Sequence, residues 1–201
     1  MSDHYYSQKP GVKHDRQVHE AKLRGFSLKF MTDAGVFSKS GVDYGSRVLL
    51  DALVLAPSAE VLDVGCGYGP IGLTAAKLAP EGHVTMIDIN ERAVELSREN
   101  AKLNGITNVT VTQSDIYESV KANRYDVILT NPPIRAGKQV VHTIFEEGYN
   151  LLNPGGKMWV VIQKKQGAPS AEAKLESLFG DVEEVTKDKG YRIFLATKSS
   201  D

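Results

Sequence analysis

A doubly wound, mostly parallel α/β sheet is the fold this chain predicts, and three features carry the prediction. From Glu60 onward, short apolar runs alternate with helical patterns, as they do where parallel strands are covered on both faces by helices. The first run, EVLDV, passes directly into CGYGPIG, a strand feeding a glycine loop and a helix N-terminus, which is the geometry that holds a nucleotide. The last two runs, Val182 to Thr186 and Tyr191 to Thr197, are separated only by Lys187 to Gly190. A parallel crossover needs a dozen or more residues, so these two form an antiparallel hairpin and the sheet ends mixed.

Bulk properties set the outer limits. A chain of 201 residues suits one well-cored domain with a modest appendage; residues 1–42 read as an N-terminal extension with a β-hairpin cap and residues 43–201 as the main domain. The net charge is only −1, the apolar and charged fractions are ordinary, and no apolar run approaches membrane-spanning length. The start, MSDHYYSQKPGVKHDR, is polar and lacks the apolar core of a signal peptide, and the single Cys66 forbids an internal disulfide. A cytoplasmic protein with no membrane partner is expected. Near-neutral charge argues against wrapping nucleic acid over the whole surface but permits a local basic face. The first 47 residues lean mildly basic, a pattern equally compatible with a solvated face that has no partner.

Taken in order, QVHEAKL and FSLKFMT are two extended runs divided by Arg24-Gly25, a hairpin turn. DAGVFSKSG, Asp33 to Gly41, is a loop; Phe37 and Ser38 within it precede a helix over about Tyr44 to Leu55, with Asp43 or Ser46 as its cap and Ala56-Pro57 as its stop. After the glycine loop come a helix from about Ile71 to Leu78, a strand His83 to Asp88, and a helix Glu91 to Leu103 rich in good helix formers and stopped by Asn104-Gly105. Asn108 to Gln113 is the next strand, followed by an irregular piece to Ala122 and the apolar strand Tyr125 to Thr130, which Asn131-Pro132-Pro133 breaks. A helix over Lys138 to Leu152, a turn at Gly155-Gly156 and the strand Lys157 to Ile162 follow. Gln166-Gly167-Ala168-Pro169 reads as a loop before a helix Ser170 to Phe179 that Gly180 stops.

Ligands of open α/β sheets bind beyond the carboxyl ends of the strands, and four strand ends here carry polar chemistry: Asp63 with the Gly65, Gly67, Gly69 loop, Asp88, Asp115 and Asn131. Read literally, Gly67 to Gly72 satisfies the dinucleotide fingerprint. The loop already bends at Gly65, however, and the Asp63 carboxylate would repel a pyrophosphate while welcoming an ammonium and a sulfonium. A cationic nucleoside fits better. Asp88 can accept both hydroxyls of a ribose; Asp115 can accept from an adenine amino group while Ile116 packs on the ring, or it can be a simple helix cap.

Asn131-Pro132-Pro133-Ile134 is the second strong signal. Two prolines hold Asn131 rigidly at the strand tip. A planar exocyclic amine has its lone pair tied up in conjugation, and acceptors at the Asn131 amide oxygen and the Pro132 carbonyl would hold its N–H groups so that the nitrogen turns pyramidal and aims at a methyl group. Arg135 and Lys138 can reach a phosphate or be merely solvated. Cys66 lacks a nearby partner, the five histidines show no metal-ligand spacing, and Trp159 sits mid-strand, so no metal and no thiol chemistry are expected.

With these residues in view, VLDVGCGYGPIG, the acid of MIDIN, the SDIYE segment and TNPPI resemble the nucleotide loop, ribose acid, adenine segment and amine-handling loop of class I S-adenosylmethionine-dependent methyltransferases. The resemblance runs from about Asp33 to Lys198, and GVFSKSGVDYGSRVLL, NPPIRAGK and LLNPGGKMWVVI are similar to the small-subunit ribosomal RNA guanine-N2 methyltransferases. It implies a Rossmann-like fold, a single catalytic domain over residues 43–201, and S-adenosylmethionine as cofactor. It further implies Gly65, Gly67, Gly69, Asp88 and Asp115 for cofactor binding with Phe37 and Ser38 beside it, Asn131 and Pro132 at the amine, and Pro133, Ile134 and Arg135 toward the substrate. Members with this loop often carry an aromatic residue where Ile134 stands. The implied reaction is methyl transfer to N2 of guanine by direct in-line displacement, with ribosomal RNA or the small subunit as partner. The rival expectations are methylation of a protein glutamine amide and a non-catalytic RNA-binding module with a vestigial pocket.

Overall fold

The structure, a computed structural model, describes residues 6–201. Its centre is a seven-stranded sheet built from β3 (Glu60–Val64), β4 (His83–Asp88), β5 (Val109–Gln113), β6 (Tyr125–Thr130), β7 (Leu152–Gln163), β8 (Asp181–Asp188) and β9 (Tyr191–Thr197), in the order β5-β4-β3-β6-β7-β9-β8. The pairs from β5 to β7 are parallel, whereas β9 runs antiparallel between β7 and β8. This is the Rossmann-like doubly wound sheet with a terminal antiparallel hairpin. The chain first goes outward from β3 to β5 and then returns to β6 on the other side, so a crevice opens above the carboxyl ends of β3 and β6.

Alternation along each strand divides the core between the two faces. Val61, Met86, Leu129 and Trp159 pack with α1 (Tyr44–Ala52), α2 (Pro70–Leu78) and α3 (Glu91–Leu103). Leu62, Ile87, Ile128, Met158 and Phe194 pack with α4 (Lys138–Leu151) and α5 (Ala168–Phe179). The N-terminal hairpin, β1 (Gln17–Leu23) and β2 (Phe26–Thr32), turns through Arg24 and Gly25 with φ of 53° and 85°, the left-handed pair of a tight hairpin. Its Leu23, Leu28 and Phe30 belong to the first of these cores, and the Met31 amide donates to Asn100 Oδ1 on α3 at 2.7 Å. The cap is therefore fixed to the body by buried contacts.

The structure corrects the sequence reading at several boundaries. Helix α1 ends at Ala52 rather than Leu55, because the Arg24 guanidinium donates to the carbonyls of Leu50 (2.8 Å) and Leu53 (2.5 Å) and so closes the helix end from the hairpin turn. Strand β7 begins at Leu152 and runs through Gly155-Gly156, which is not a free turn: the Gly155 amide donates to the Lys198 carbonyl and the Lys198 amide to the Gly156 carbonyl. Ala168-Pro169 opens α5 instead of forming a loop, with Gly167 left-handed before it and proline in the first turn, where its missing N–H is not needed. Among the described residues, no helix is long and apolar enough to cross a membrane.

Candidate active site

A cavity of about 700 Å³ lies above the carboxyl ends of the parallel strands. Of the residues singled out from sequence, Phe37, Ser38, Gly65, Gly67, Asp88, Ile116, Asn131, Pro132, Pro133, Ile134 and Arg135 all line it. They come from segments far apart in the chain, and the sheet topology brings them together.

The glycine loop is pinned from below. Ile87 O accepts from the amides of Gly65 and Cys66, both at 2.9 Å. Asp88 Oδ2 accepts from the Gly67 amide at 2.9 Å, and Ser97 Oγ donates to the Gly67 carbonyl at 2.7 Å. The amides of Gly65, Cys66, Gly67 and Gly69 are thus taken by the protein rather than offered to a phosphate. What the loop offers is space: at Gly65 and Gly67, with φ of 74° and 57°, an added Cβ would meet no protein atom within 4 Å. A flat, phosphate-free nucleoside can lie against this bare backbone.

Asp88 holds the loop with one oxygen and the Asn90 amide with the other, at 2.9 Å each. Burial raises its pKa to about 6, against the backbone N–H groups of Asn90, Gly67 and Ile89 that favour the carboxylate. A carboxylate offers about four lone-pair sites, so acceptor capacity remains beyond these backbone donors for a hydroxyl group in the cavity.

Three predicted residues do not line the cavity. Asp63 is 1% exposed and faces α2, where a Cβ at Gly72 would come within 2.8 Å of its Oδ2. Burial raises its pKa to about 7, with the Gly72 amide opposing and Asp88 adding to the rise, and Oδ2 has no hydrogen-bond partner in bonding geometry. Gly69 caps α2, and a Cβ there would run into Leu73 at 2.9 Å. Asp115 is exposed, since Ile116 adopts a left-handed φ of 50° and turns the chain so that Ser114 and Ile116 line the cavity. Cys66 is buried with its thiol 3.6 Å from Ser97 Oγ, and burial pushes its pKa up.

The structure also supplies residues that sequence reasoning missed. Tyr6 lines the cavity, where burial and the carboxylates of Asp115 and Asp88 raise its pKa. The strap behind it is tied to the start of α3: the Glu91 amide donates to the Gln8 carbonyl at 2.8 Å, and Arg92 donates to the carbonyls of Ala34 (2.7 Å) and Pro10 (3.4 Å). Asp33, 2% exposed, accepts from the Asp15 amide at 2.6 Å and pairs with His14 at 2.5 Å. These bonds hold its carboxyl below the usual range although burial works the other way. Tyr68 lines the cavity with its hydroxyl buried and without a partner in bonding geometry. Asp43 and Ser46, predicted only as helix caps, stand beside Asn131.

The fold and the cavity define a nucleoside-binding methyltransferase domain, and the chain belongs to the methyltransferase small domain family, whose profile it matches over residues 27–195. It is 56% identical over 201 residues to YbxB, an uncharacterised protein of Bacillus subtilis (strain 168), covering 98% of this chain and 100% of that one. It is 33% identical over 174 residues to ribosomal RNA small subunit methyltransferase C of Serratia proteamaculans, covering 85% of this chain and 49% of that protein. Among solved structures, the Thermus thermophilus 16S rRNA N2 G1207 methyltransferase in complex with AdoMet and guanosine superposes with a TM-score of 0.82 at 28% identity, over 94% of this chain and 52% of that one. The chain spans about half the length of these ribosomal RNA methyltransferases.

Proposed function

We propose that this protein transfers a methyl group from S-adenosylmethionine to the exocyclic N2 amine of guanine in small-subunit ribosomal RNA. The cofactor is S-adenosylmethionine: the bare glycine backbone, the acceptor pair of Asp88 and the engagement of the Gly65, Cys66, Gly67 and Gly69 amides by the protein fit a nucleoside without a pyrophosphate. When bound, it supplies an electrophilic methyl on a sulfonium.

The observation that carries the reading is the placement of Asn131 and Pro132, at the tip of β6, in the same cavity as the glycine loop and Asp88. The Asn131 amide oxygen and the Pro132 carbonyl accept from the two N–H groups of the target amine, drawing its lone pair out of conjugation. No strong base is required, because the amine becomes a good acid once alkylated and its proton can leave to water. Ile134 and Pro133 offer the base an apolar face, and Arg135, exposed where it lines the cavity, supplies a cation for an RNA phosphate. The likeness to the 16S rRNA N2 G1207 methyltransferase at 28% identity supports the choice of base, and that to a ribosomal RNA small subunit methyltransferase at 33% supports the choice of RNA.

The test is tritiated-methyl transfer to naked 16S rRNA, isolated small subunits and intact ribosomes, followed by mapping of the labelled base. Label at guanine N2 in any of these RNAs is the expected result. Label in a ribosomal or release-factor protein would replace the reading with glutamine amide methylation, and cofactor binding without transfer to any acceptor would replace it with a binding module.

A further inference from the structure

We infer that Asp43 and Ser46 are positioning residues that fix which end of the Asn131 amide faces the substrate. The inference rests on the role of Asn131 proposed above. Asn131 Nδ2 donates to Asp43 Oδ2 and to Ser46 Oγ, each at 3.2 Å, across 88 and 85 residues of sequence. All three residues line the cavity.

The chemistry of the partners settles the orientation. A carboxylate has no proton to give, so only the NH₂ end of an amide can face it. That leaves Asn131 Oδ1, which accepts no hydrogen bond from the described residues, as the end available to an amine in the cavity. With the amide turned round, Oδ1 would meet the Asp43 carboxylate and Nδ2 would meet the target N–H, a donor against a donor. Without the pair, both orientations become accessible and only one is productive. Pro132 cannot contribute to this choice, since it fixes the backbone of Asn131 but says nothing of its χ2.

Asp43 reaches this position because it caps α1: the same Oδ2 accepts from the Ser46 amide at 3.2 Å. The oxygen that ends the helix therefore also orients the amide, and Ser46, 4% exposed on the first turn, completes the contact. This dual use gives a means of separating the two tasks. Asp43→Ser keeps a capping oxygen but is one carbon too short to hold Asn131. Asp43→Asn keeps both the cap and an acceptor oxygen at full length.

The experiment measures single-turnover methyl transfer to small ribosomal subunits from cells lacking this protein, alongside calorimetric S-adenosylmethionine affinity and thermal midpoint. For Asp43→Ser the expected result is a loss of roughly 10- to 100-fold in the transfer rate, with cofactor affinity and midpoint near those of the parent. Asp43→Asn should restore the rate to within a few-fold. Ser46→Ala, which removes one acceptor and keeps the helix, should lose rate in the same sense and serves if Asp43→Ser does not fold. A parental rate in both Asp43→Ser and Ser46→Ala, with Asn131→Ala inactive, would overturn the inference and leave the functional reading standing. An equal loss in Asp43→Asn and Asp43→Ser would also overturn it, since charge rather than orientation would then matter. A fully active Asn131→Ala would overturn the functional reading and the inference with it.

Discussion

Asp88 offers the sharpest quantitative test of the cofactor site. Its two oxygens already accept from Gly67 and Asn90 at 2.9 Å, so both must remain acceptors for the loop to keep its shape. Burial raises its carboxyl from 3.8 to about 6, a shift equivalent to about 3 kcal/mol in favour of the protonated form. The sign for folding follows: this residue's contribution to stability is fullest below the unfolded value and is lost as pH rises through about 6. Cofactor affinity should move the opposite way. A ribose hydroxyl bonded to the charged carboxylate contributes about 1.5 to 3 kcal/mol, or roughly 10- to 150-fold in Kd. Calorimetric titration with S-adenosylmethionine should therefore give a flat Kd from pH 7 to 8 and a weakening approaching tenfold by pH 5. Asp88→Asn should bind at least tenfold more weakly and show no such pH dependence, because its amide places a donor against a backbone N–H that now donates to the carboxylate. An affinity that is constant from pH 5 to 8, together with an unimpaired variant, would refute the assignment of Asp88 to the cofactor.

The other expectations concern single side chains. Asn131→Ala should abolish methyl transfer while cofactor Kd stays within about twofold, as expected of a residue acting on the amine and not on cofactor binding. Gly67→Val should weaken binding by more than tenfold in the same titration, since its side chain would enter the open space beside a φ of 57°. Tyr6→Ala should weaken cofactor affinity several-fold with an unchanged thermal midpoint, because Tyr6 lines the cavity from a strap outside the core; an unaltered Kd would remove it from the site. Gly72→Ala should destabilise the fold by about 1 to 3 kcal/mol. Its Cβ would lie 2.7 Å from Met86 Cγ and 2.8 Å from Asp63 Oδ2, neither of which can move into solvent. A midpoint lower by several degrees checks this, at roughly 2 to 4 °C per kcal/mol for a domain of this size.

Much of the architecture was legible because it depends on local rules. β4, α3, β6 and β9 coincide with their sequence-predicted spans, each being set by an apolar period, a cap or a breaker within a few residues. The boundaries that moved were decided at a distance. Arg24 ends α1 from a different element, and the segment after β9 recruits Gly155-Gly156 into β7. The glycine loop was visible as a loop, but its hydrogen bonds were not: whether its N–H groups face a ligand or Ile87 and Asp88 depends on a strand that lies elsewhere in the sequence.

By itself, the sequence determined the alternating sheet, the terminal hairpin, the glycine backbone and a rigid Asn131 at a strand tip, because backbone propensity and side-chain period are written residue by residue. Only the tertiary structure decided which carboxylates reach the cavity. Asp88 lines it while Asp63 is sealed against α2 and Asp115 faces water, a distinction set by the direction in which each chain leaves its strand. It also decided that Tyr6 closes one wall and that Asp43 and Ser46 flank Asn131. Contacts between residues some 88 positions apart leave no local pattern in the chain, and they exist only once the sheet has brought the start of α1 beside the end of β6.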